Sequence, residues 1–174
     1  IDEQAHCGAV DTCGQTIAVL GHGLNINLSH LNQDLVSKII DMDGVIISEY
    51  MPLERPSRDR YLRRNELQAA LSKFIVPVEC PDMKSGTGAT IRRAKKINTE
   101  VIGIVPGNLT EESLVATKRN LEELKYRVFQ VMSHNSTELW EYLKQELPEH
   151  NWSSNPQMRQ ERFFHTIEKQ ILQA

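Results

Sequence analysis

The sequence predicts an α/β fold with a doubly wound, mostly parallel sheet and helices on both faces. Short apolar, β-branched segments alternate with longer amphipathic segments along residues 1–147, in the order α-β-α-β-α-β-α-β-α-β-α. The composition, 40% hydrophobic and 25% charged, is typical of a globular domain, and 174 residues suit one hydrophobic core. No apolar run approaches the roughly 18 residues that a membrane span requires.

Five segments have the length and β-branched content of buried strands, and six have the periodicity of helices. The predicted strands are 16–20, 45–48, 74–79, 101–105 and 126–131. The predicted helices are 2–13, 29–41, 60–72, 86–98, 113–124 and 135–147. Gly14 and Gly44 follow the first two helices and are expected to end them. Pro77 cannot donate a ladder hydrogen bond, so the third strand is expected to be irregular or to lie at an edge.

Residues 148–174 differ from the rest and form the second predicted region, a linker followed by an amphipathic helix. Polar, turn-forming residues come first, and apolar residues at helical spacing follow: Phe163, Phe164, Ile167, Ile171 and Leu172. We expect this helix to pack on its own body or, alternatively, on a partner subunit.

The charges are unevenly distributed. Residues 54–96 contain 11 basic and five acidic residues, whereas the remainder contains nine basic and 18 acidic residues. A basic segment on an acidic protein predicts one anion-binding face. Three cysteines without metal-ligand spacing (Cys7, Cys13 and Cys80) indicate free thiols and favour a cytoplasmic location.

The third predicted helix carries the first candidate site. Its i, i+3, i+4, i+7 pattern joins basic to apolar residues on one stripe: Arg60, Arg63, Arg64, Leu67, Leu71 and Phe74. The apolar half is expected to face the sheet, which would place the three arginines over the carboxyl ends of the strands. Arginine and a helix N-terminus both favour phosphate binding. Alternatively, the helix starts later and these arginines are solvated loop residues.

Two glycine-bearing turns extend the candidate site. Lys84, Ser85, Gly86 and Thr87 lie between a strand and a helix, in an arrangement that can present backbone N–H groups to a phosphate. This turn lacks the Gly-Lys-Ser/Thr of a P-loop, and a tight turn is the alternative. Gly21 and Gly23 follow the first strand and are weaker candidates for phosphate binding.

The helix after Lys84 has a basic face and an apolar face. Its basic residues are expected to form a solvated outer surface that still attracts nucleic acid at long range: Arg92, Arg93, Lys95 and Lys96. Glu49 and Glu79 follow strands and either brace loops or perform acid–base chemistry. No histidine spacing suggests a metal site, and we predict no metal and no cofactor.

The motifs together resemble the DNA-processing protein A family (DprA, also called Smf). The matching segments are 1–2, 5–6, 8–9, 16–24, 47–49, 63–65 and 71–72, followed by Glu79, 84–86, Thr90, Ala94 and 106–107, with Asn32 and Leu35 between them. The resemblance is close over residues 1–107 and looser to Leu147. Glu66 stands where the family usually has arginine, and residues 148–174 do not resemble the winged helix of many members.

The resemblance implies a Rossmann-like sheet whose carboxyl edge binds single-stranded DNA, without catalysis. The Arg63-Arg64-Asn65 helix start and the Lys84-Ser85-Gly86 turn would line the pocket. It further implies a homodimer, loading of a RecA-type recombinase, and a role in DNA uptake, competence and natural transformation. The family's first strand and its Gly-Ser-Arg turn would precede Ile1.

A different function class remains open from the residues alone. The same arginines and glycine-rich turn could hold a nucleoside phosphate, with Glu49 or Glu79 as the base. The protein would then be a nucleotide sensor or a nucleoside-phosphate hydrolase that cleaves the N-glycosidic bond. Release of adenine from AMP distinguishes this alternative from DNA binding.

Overall fold

The computed structural model of this chain describes residues 2–26, 33–107, 109–131 and 137–146. The chain divides into two compact units, and the division falls between Arg64 and Asn65. We call the described residues up to Arg64 unit 1 and those from Asn65 onward unit 2. The predicted helix in 148–174 lies outside the described residues.

Unit 1 contains two parallel strands, the helix that precedes each of them and the first half of a third helix. Its elements are α1 (Asp2–Asp11), β1 (Ile17–Leu20), α2 (Gln33–Asp41), β2 (Val45–Ser48) and the first half of α3 (Arg58–Leu71). β1 and β2 pair in parallel, with Ile17 opposite Val45 and Leu20 opposite Ser48. One apolar cluster joins α1 and α2 to the middle of β1, and its buried members are Val10, Ala18, Leu35 and Ile39.

Unit 2 contains a three-stranded parallel sheet in the order β3-β4-β5. After the second half of α3 come β3 (Phe74–Ile75), α4 (Gly86–Lys96), β4 (Glu100–Pro106), α5 (Glu111–Glu122), β5 (Arg127–Val131) and α6 (Thr137–Glu146). β4 is the central strand, and the side chains of Val101, Ile102, Ile104 and Val105 are buried. The main buried cluster consists of Ala69, Cys80, Ile91, Ala94, Val101 and Leu121.

The element order and the parallel pairing confirm the predicted fold class within the described residues. The element bounds shift by a few residues, and the described pairing forms two sheets, one in each unit. The expected starts of α2 at residue 29 and of α6 at residue 135 lie outside the described residues.

β3 is much shorter than the predicted strand 74–79, for the reason the sequence suggested. Regular pairing stops at Ile75, two residues before Pro77. Pairing with β4 then resumes once, because the Ile104 N–H donates to the Pro77 carbonyl at 2.9 Å. Pro77 thus interrupts the ladder because it has no N–H to donate, while its carbonyl still accepts a hydrogen bond.

Four helices end in the same way, and glycine is not the residue that takes the left-handed conformation. The residues with positive φ are Cys13, Asp43, Asn98 and Lys125, with φ between 55° and 61°. In each case the next N–H donates to the carbonyl five residues back, as from Gly14 to Ala9 at 2.8 Å. This is the 6→1 bond of a Schellman motif. The prediction that Gly14 and Gly44 end their helices is therefore wrong by one position, because Cys13 and Asp43 take the left-handed conformation.

Candidate nucleic-acid interface

In unit 1 the loops after β1 and β2 are hydrogen-bonded together at the carboxyl ends of both strands. The Gly23 N–H donates to the Glu54 carbonyl and the Asn25 N–H to the Pro52 carbonyl, each at 2.9 Å. The Ser48 hydroxyl donates to the His22 carbonyl at 2.7 Å. These hydrogen bonds hold the two loops together, and arginines of α3 make further contacts with the same part of unit 1.

The two candidate glycines in these loops are required by packing. A Cβ on Gly21 would lie 2.6 Å from the Tyr61 ring, and a Cβ on Gly23 would overlap the Met51 and Pro52 carbonyl oxygens. Both glycines are buried. Their role in phosphate binding stays a prediction, since the structure supplies another reason for glycine at both positions.

Arg60 is held by several groups of unit 1. Its guanidinium forms an ion pair with Glu54 at 3.2 Å, donates to the Arg55 carbonyl, and lies 5.3 Å from the centre of the Tyr50 ring. The Tyr50 hydroxyl donates to the Arg60 carbonyl at 3.1 Å. This network places Arg60 at the loop that follows β2, as predicted, but with its charge already paired.

Arg64 reaches the carboxyl end of β1. Its guanidinium donates to the Val19 carbonyl at 3.0 Å, forms an ion pair with Asp2 at 3.1 Å, and lies 5.7 Å from the Tyr61 ring centre. Only 17% of its side chain is exposed. Arg64 therefore joins α1, β1 and α3, and any phosphate bound there shares it with these partners.

His6 lies beside this arginine network. Its Nδ1 is 2.8 Å from the Thr16 hydroxyl oxygen. Burial lowers the pKa of His6; the nearby Arg64 charge acts in the same direction and Asp2 opposes it. The neutral imidazole is thus the form that unit 1 favours.

The three arginines are helical as predicted, but the predicted inward stripe of α3 is wrong at Arg63 and Leu71, which are both exposed. The helix begins at Arg58, so Arg60, Arg63 and Arg64 are all helical, contrary to the solvated-loop alternative. The buried residues, however, are Asn65 and Ala69, while Leu71 is 52% exposed. The hydrophobic pattern pointed to Leu67 and Leu71, but a small residue and a polar one allow α3 to approach its neighbours. The i, i+4 spacing of Asn65 and Ala69 was the available signal.

Arg63 is the one exposed arginine of the three predicted on the stripe. No described residue pairs with its guanidinium. It follows that Arg63 can offer its full charge to a ligand, whereas Arg60 and Arg64 are engaged in the fold.

In unit 2 the candidate turn caps α4. The Ser85 hydroxyl accepts from the Gly88 N–H at 3.2 Å, and the Lys84 N–H donates to the Asp82 carboxylate at 2.8 Å. Helix geometry leaves the N–H groups of Gly86 and Thr87 without an acceptor inside α4. The Lys84 side chain is exposed, Gly86 is exposed as well, and a Cβ added to Gly86 would meet no neighbouring group within 4 Å. This turn can receive an anion from solvent.

The basic residues of α4 differ in how they are held. Arg93 pairs with Glu66 of α3 at 2.9 Å, and Arg92 donates to the Met83 carbonyl. Lys95 and Lys96 are exposed, in agreement with the predicted outer surface. Glu66, the departure from the family pattern, thus has its charge balanced by Arg93.

The described residues contain no group of three or more His, Cys, Asp and Glu side chains able to hold a metal ion. Cys7, Cys13 and Cys80 are free thiols, and burial raises the pKa of the Cys80 thiol. None of the described helices has the length and apolar character needed to cross a membrane.

The sequence and the fold place the chain in a class of DNA-processing proteins, the recombination mediators. The family model for DNA recombination-mediator protein A matches residues 1–139. The chain belongs to this family, which confirms the resemblance to DprA and Smf proteins.

Individual relatives agree with this assignment. A putative DNA processing protein DprA of Mycobacterium tuberculosis is 37% identical over 113 residues, covering 65% of this chain and 28% of the relative. The DNA processing protein DprA of Streptococcus pneumoniae is 34% identical over 111 residues, covering 64% of this chain and 38% of the relative. The chain therefore spans less than two fifths of the length of these curated relatives.

A solved structure shows the same fold. DNA processing protein A from Helicobacter pylori, described for its single-stranded DNA binding mode, superposes with a TM-score of 0.56 at 25% identity. The match covers 75% of this chain and 56% of that chain. This confirms the Rossmann-like fold that the family resemblance implies.

Proposed function

We propose that this chain is the single-stranded DNA-binding part of a recombination mediator. Family membership supports this function, as does the likeness to the Helicobacter pylori protein, whose structure concerns single-stranded DNA binding. Binding is non-catalytic and uses no cofactor. The ligand contacts are phosphates, because the candidate side chains are arginines and lysines and the candidate backbone groups are N–H donors.

One observation carries the proposal: Lys84 is exposed beside the open first turn of α4. The charge of Lys84, the two N–H groups of Gly86 and Thr87, and the positive end of the helix act on the same small volume. Arg63 of unit 1 supplies a second exposed cation. Ser85 stabilises the conformation of this turn, because its hydroxyl accepts the capping hydrogen bond at the start of α4.

The test is binding of a fluorescein-labelled oligothymidylate, measured by fluorescence anisotropy at low salt and along a salt titration. We expect affinity to fall as salt rises, with a slope of about −0.7 per neutralised phosphate. Lys84→Ala and Arg63→Ala should each weaken binding about threefold to tenfold and make the salt slope less negative. Absence of binding at low salt, or binding that does not respond to salt, contradicts the proposal.

Matched controls come from exposed basic residues outside the candidate sites. Lys38→Ala in α2 and Arg119→Ala in α5 remove the same charges as Lys84→Ala and Arg63→Ala. We expect both controls to bind as the unaltered chain does. Incubation with AMP should yield no free adenine, whereas adenine release would favour the nucleoside-phosphate hydrolase alternative.

We further propose that the protein acts as a homodimer in the cytoplasm and delivers a RecA-type recombinase to single-stranded DNA during DNA uptake. The family's description as a recombination mediator supports this role. Light scattering after size-exclusion chromatography tests the dimer. Faster RecA filament assembly on DNA covered by single-strand-binding protein tests the delivery step, and an unchanged assembly rate contradicts it.

A further inference from the structure

The outer face of α4 carries more positive charge than the fold of unit 2 uses. Four of the eleven residues of α4 are basic and none is acidic. The charge of Arg93 is paired with the Glu66 carboxylate. Lys95 and Lys96 are exposed, and none of the described residues forms an ion pair with either ammonium group. The helix thus keeps two unneutralised charges side by side on its solvent surface.

These charges are continuous with the candidate turn. Arg92 donates from its guanidinium to the Met83 carbonyl, one residue before Lys84, which places this charge beside the first turn of α4. Lys96 lies four residues further along the same helix face, and Lys95 three residues further. At 1.5 Å of rise per residue, the step from Arg92 to Lys96 covers about 6 Å along the helix.

We infer that the exposed basic face of α4 is an outer track for the DNA backbone, which extends the contact beyond the turn at Lys84. The track consists of Arg92, Lys95 and Lys96, and its ligand is the run of phosphates adjacent to the one bound at Lys84. Grooves that bind single strands without sequence preference follow the backbone with such charges. This inference rests on the proposed function and assigns a role to residues that amphipathicity alone explains as solvated surface.

Arg92 and the two lysines have different tasks on this track. The hydrogen bond to Met83 fixes the Arg92 guanidinium, so it offers phosphate a positioned donor at the join between turn and track. Lys95 and Lys96 are flexible point charges, so they neutralise phosphates without imposing a register. The track therefore adds affinity and salt dependence but no sequence preference.

The test compares the Lys95→Ala/Lys96→Ala double variant with the unaltered chain on oligothymidylates of increasing length. On the shortest strand that binds the turn, we expect equal affinity. On a strand of about 20 nucleotides, we expect binding weaker by roughly fivefold to tenfold and a salt slope less negative by about 1.4, which is two phosphates at 0.7 each. Lys95→Gln/Lys96→Gln, which retains much of the side-chain length, should give the same result because only the charge matters.

The matched control is Lys118→Ala/Arg119→Ala, which removes two adjacent basic residues from α5 of the same unit. We expect the control to retain the affinity and salt slope of the unaltered chain. Equal losses in both double variants would show diffuse attraction and overturn the track. Full affinity of the Lys95/Lys96 variant on the long strand also overturns it while leaving the proposed function intact. If the unaltered chain itself binds no DNA, the proposed function and the track fail together.

Discussion

Arg60 and Arg64 of unit 1 and Lys84 and Lys96 of unit 2 belong to the same basic segment of the sequence but have different surroundings. In unit 1, Arg60 and Arg64 are each tied by an ion pair, a hydrogen bond to a carbonyl and a nearby tyrosine ring. In unit 2, Lys84 and Lys96 are exposed, and no ion-pair partner is found for them among the described residues. The first pair holds loops and helices in place, whereas the second pair is available to a ligand.

This difference shows that a count of charged residues in the sequence overestimates the number of charges available to a ligand. Glu54 lies only six positions from Arg60, but the other two ion-pair partners are distant in sequence: Asp2 lies 62 positions from Arg64 and Glu66 lies 27 positions from Arg93. Local patterns cannot show such pairs. Under the proposed function, we expect the DNA-binding residues to be those whose removal weakens DNA binding and leaves the fold intact.

The largest expected effect is a loss of stability at glycines of the two candidate turns, the one after β1 and the one at the start of α4. Packing requires glycine at some of these positions and not at others. Gly88→Ala places a Cβ against the Met83 carbonyl, so we expect a loss of about 2–3 kcal/mol in the free energy of unfolding. Gly23→Ala should cost at least as much, because its Cβ overlaps two carbonyl oxygens of a hydrogen-bonded loop. Urea denaturation followed by circular dichroism measures both.

Gly86→Ala is the matched control for these glycines. No atom lies within 4 Å of its added Cβ, and alanine is the better helix former, so the variant should be stabilised by about 0.5–1 kcal/mol. A loss of stability in Gly86→Ala as large as that in Gly88→Ala would contradict the packing described at the start of α4.

The next effect separates two neighbouring arginines. Arg64→Ala removes a hydrogen bond to Val19 and an ion pair with Asp2, and we expect a loss of about 1–2 kcal/mol in unfolding free energy. Arg63→Ala should change stability by less than about 0.5 kcal/mol, since Arg63 is exposed. Chemical denaturation of both variants, beside their DNA affinities, tests the division between structural and available charge. Equal stabilities would show that the contacts of Arg64 contribute nothing.

Most of the fold could be predicted from sequence because the alternation of short β-branched runs and amphipathic runs is a local signal. The break at Pro77 was predictable for the same reason. The inward face of α3 was not, because close packing selected Asn65 and Ala69 over the larger Leu71. Of the site, the candidate turn at Lys84 was found from its glycines and its position, while the neutralisation of Arg60, Arg64 and Arg93 depends on contacts that only the folded chain reveals.

The smallest expected effect lies at the helix ends, where both units use the same Schellman motif but place different residues at the position with positive φ. Lys125 of unit 2 and Cys13 of unit 1 hold the left-handed conformation that β-carbon-bearing residues disfavour, whereas Asn98 is a residue that tolerates it. We therefore expect Lys125→Gly and Cys13→Gly each to raise the unfolding free energy by about 0.5–1 kcal/mol, and Asn98→Gly to change it by less. Thermal and urea denaturation give the comparison. A larger gain from Asn98→Gly than from Lys125→Gly would mean that side-chain contacts, and not backbone conformation, set the stability of these helix ends.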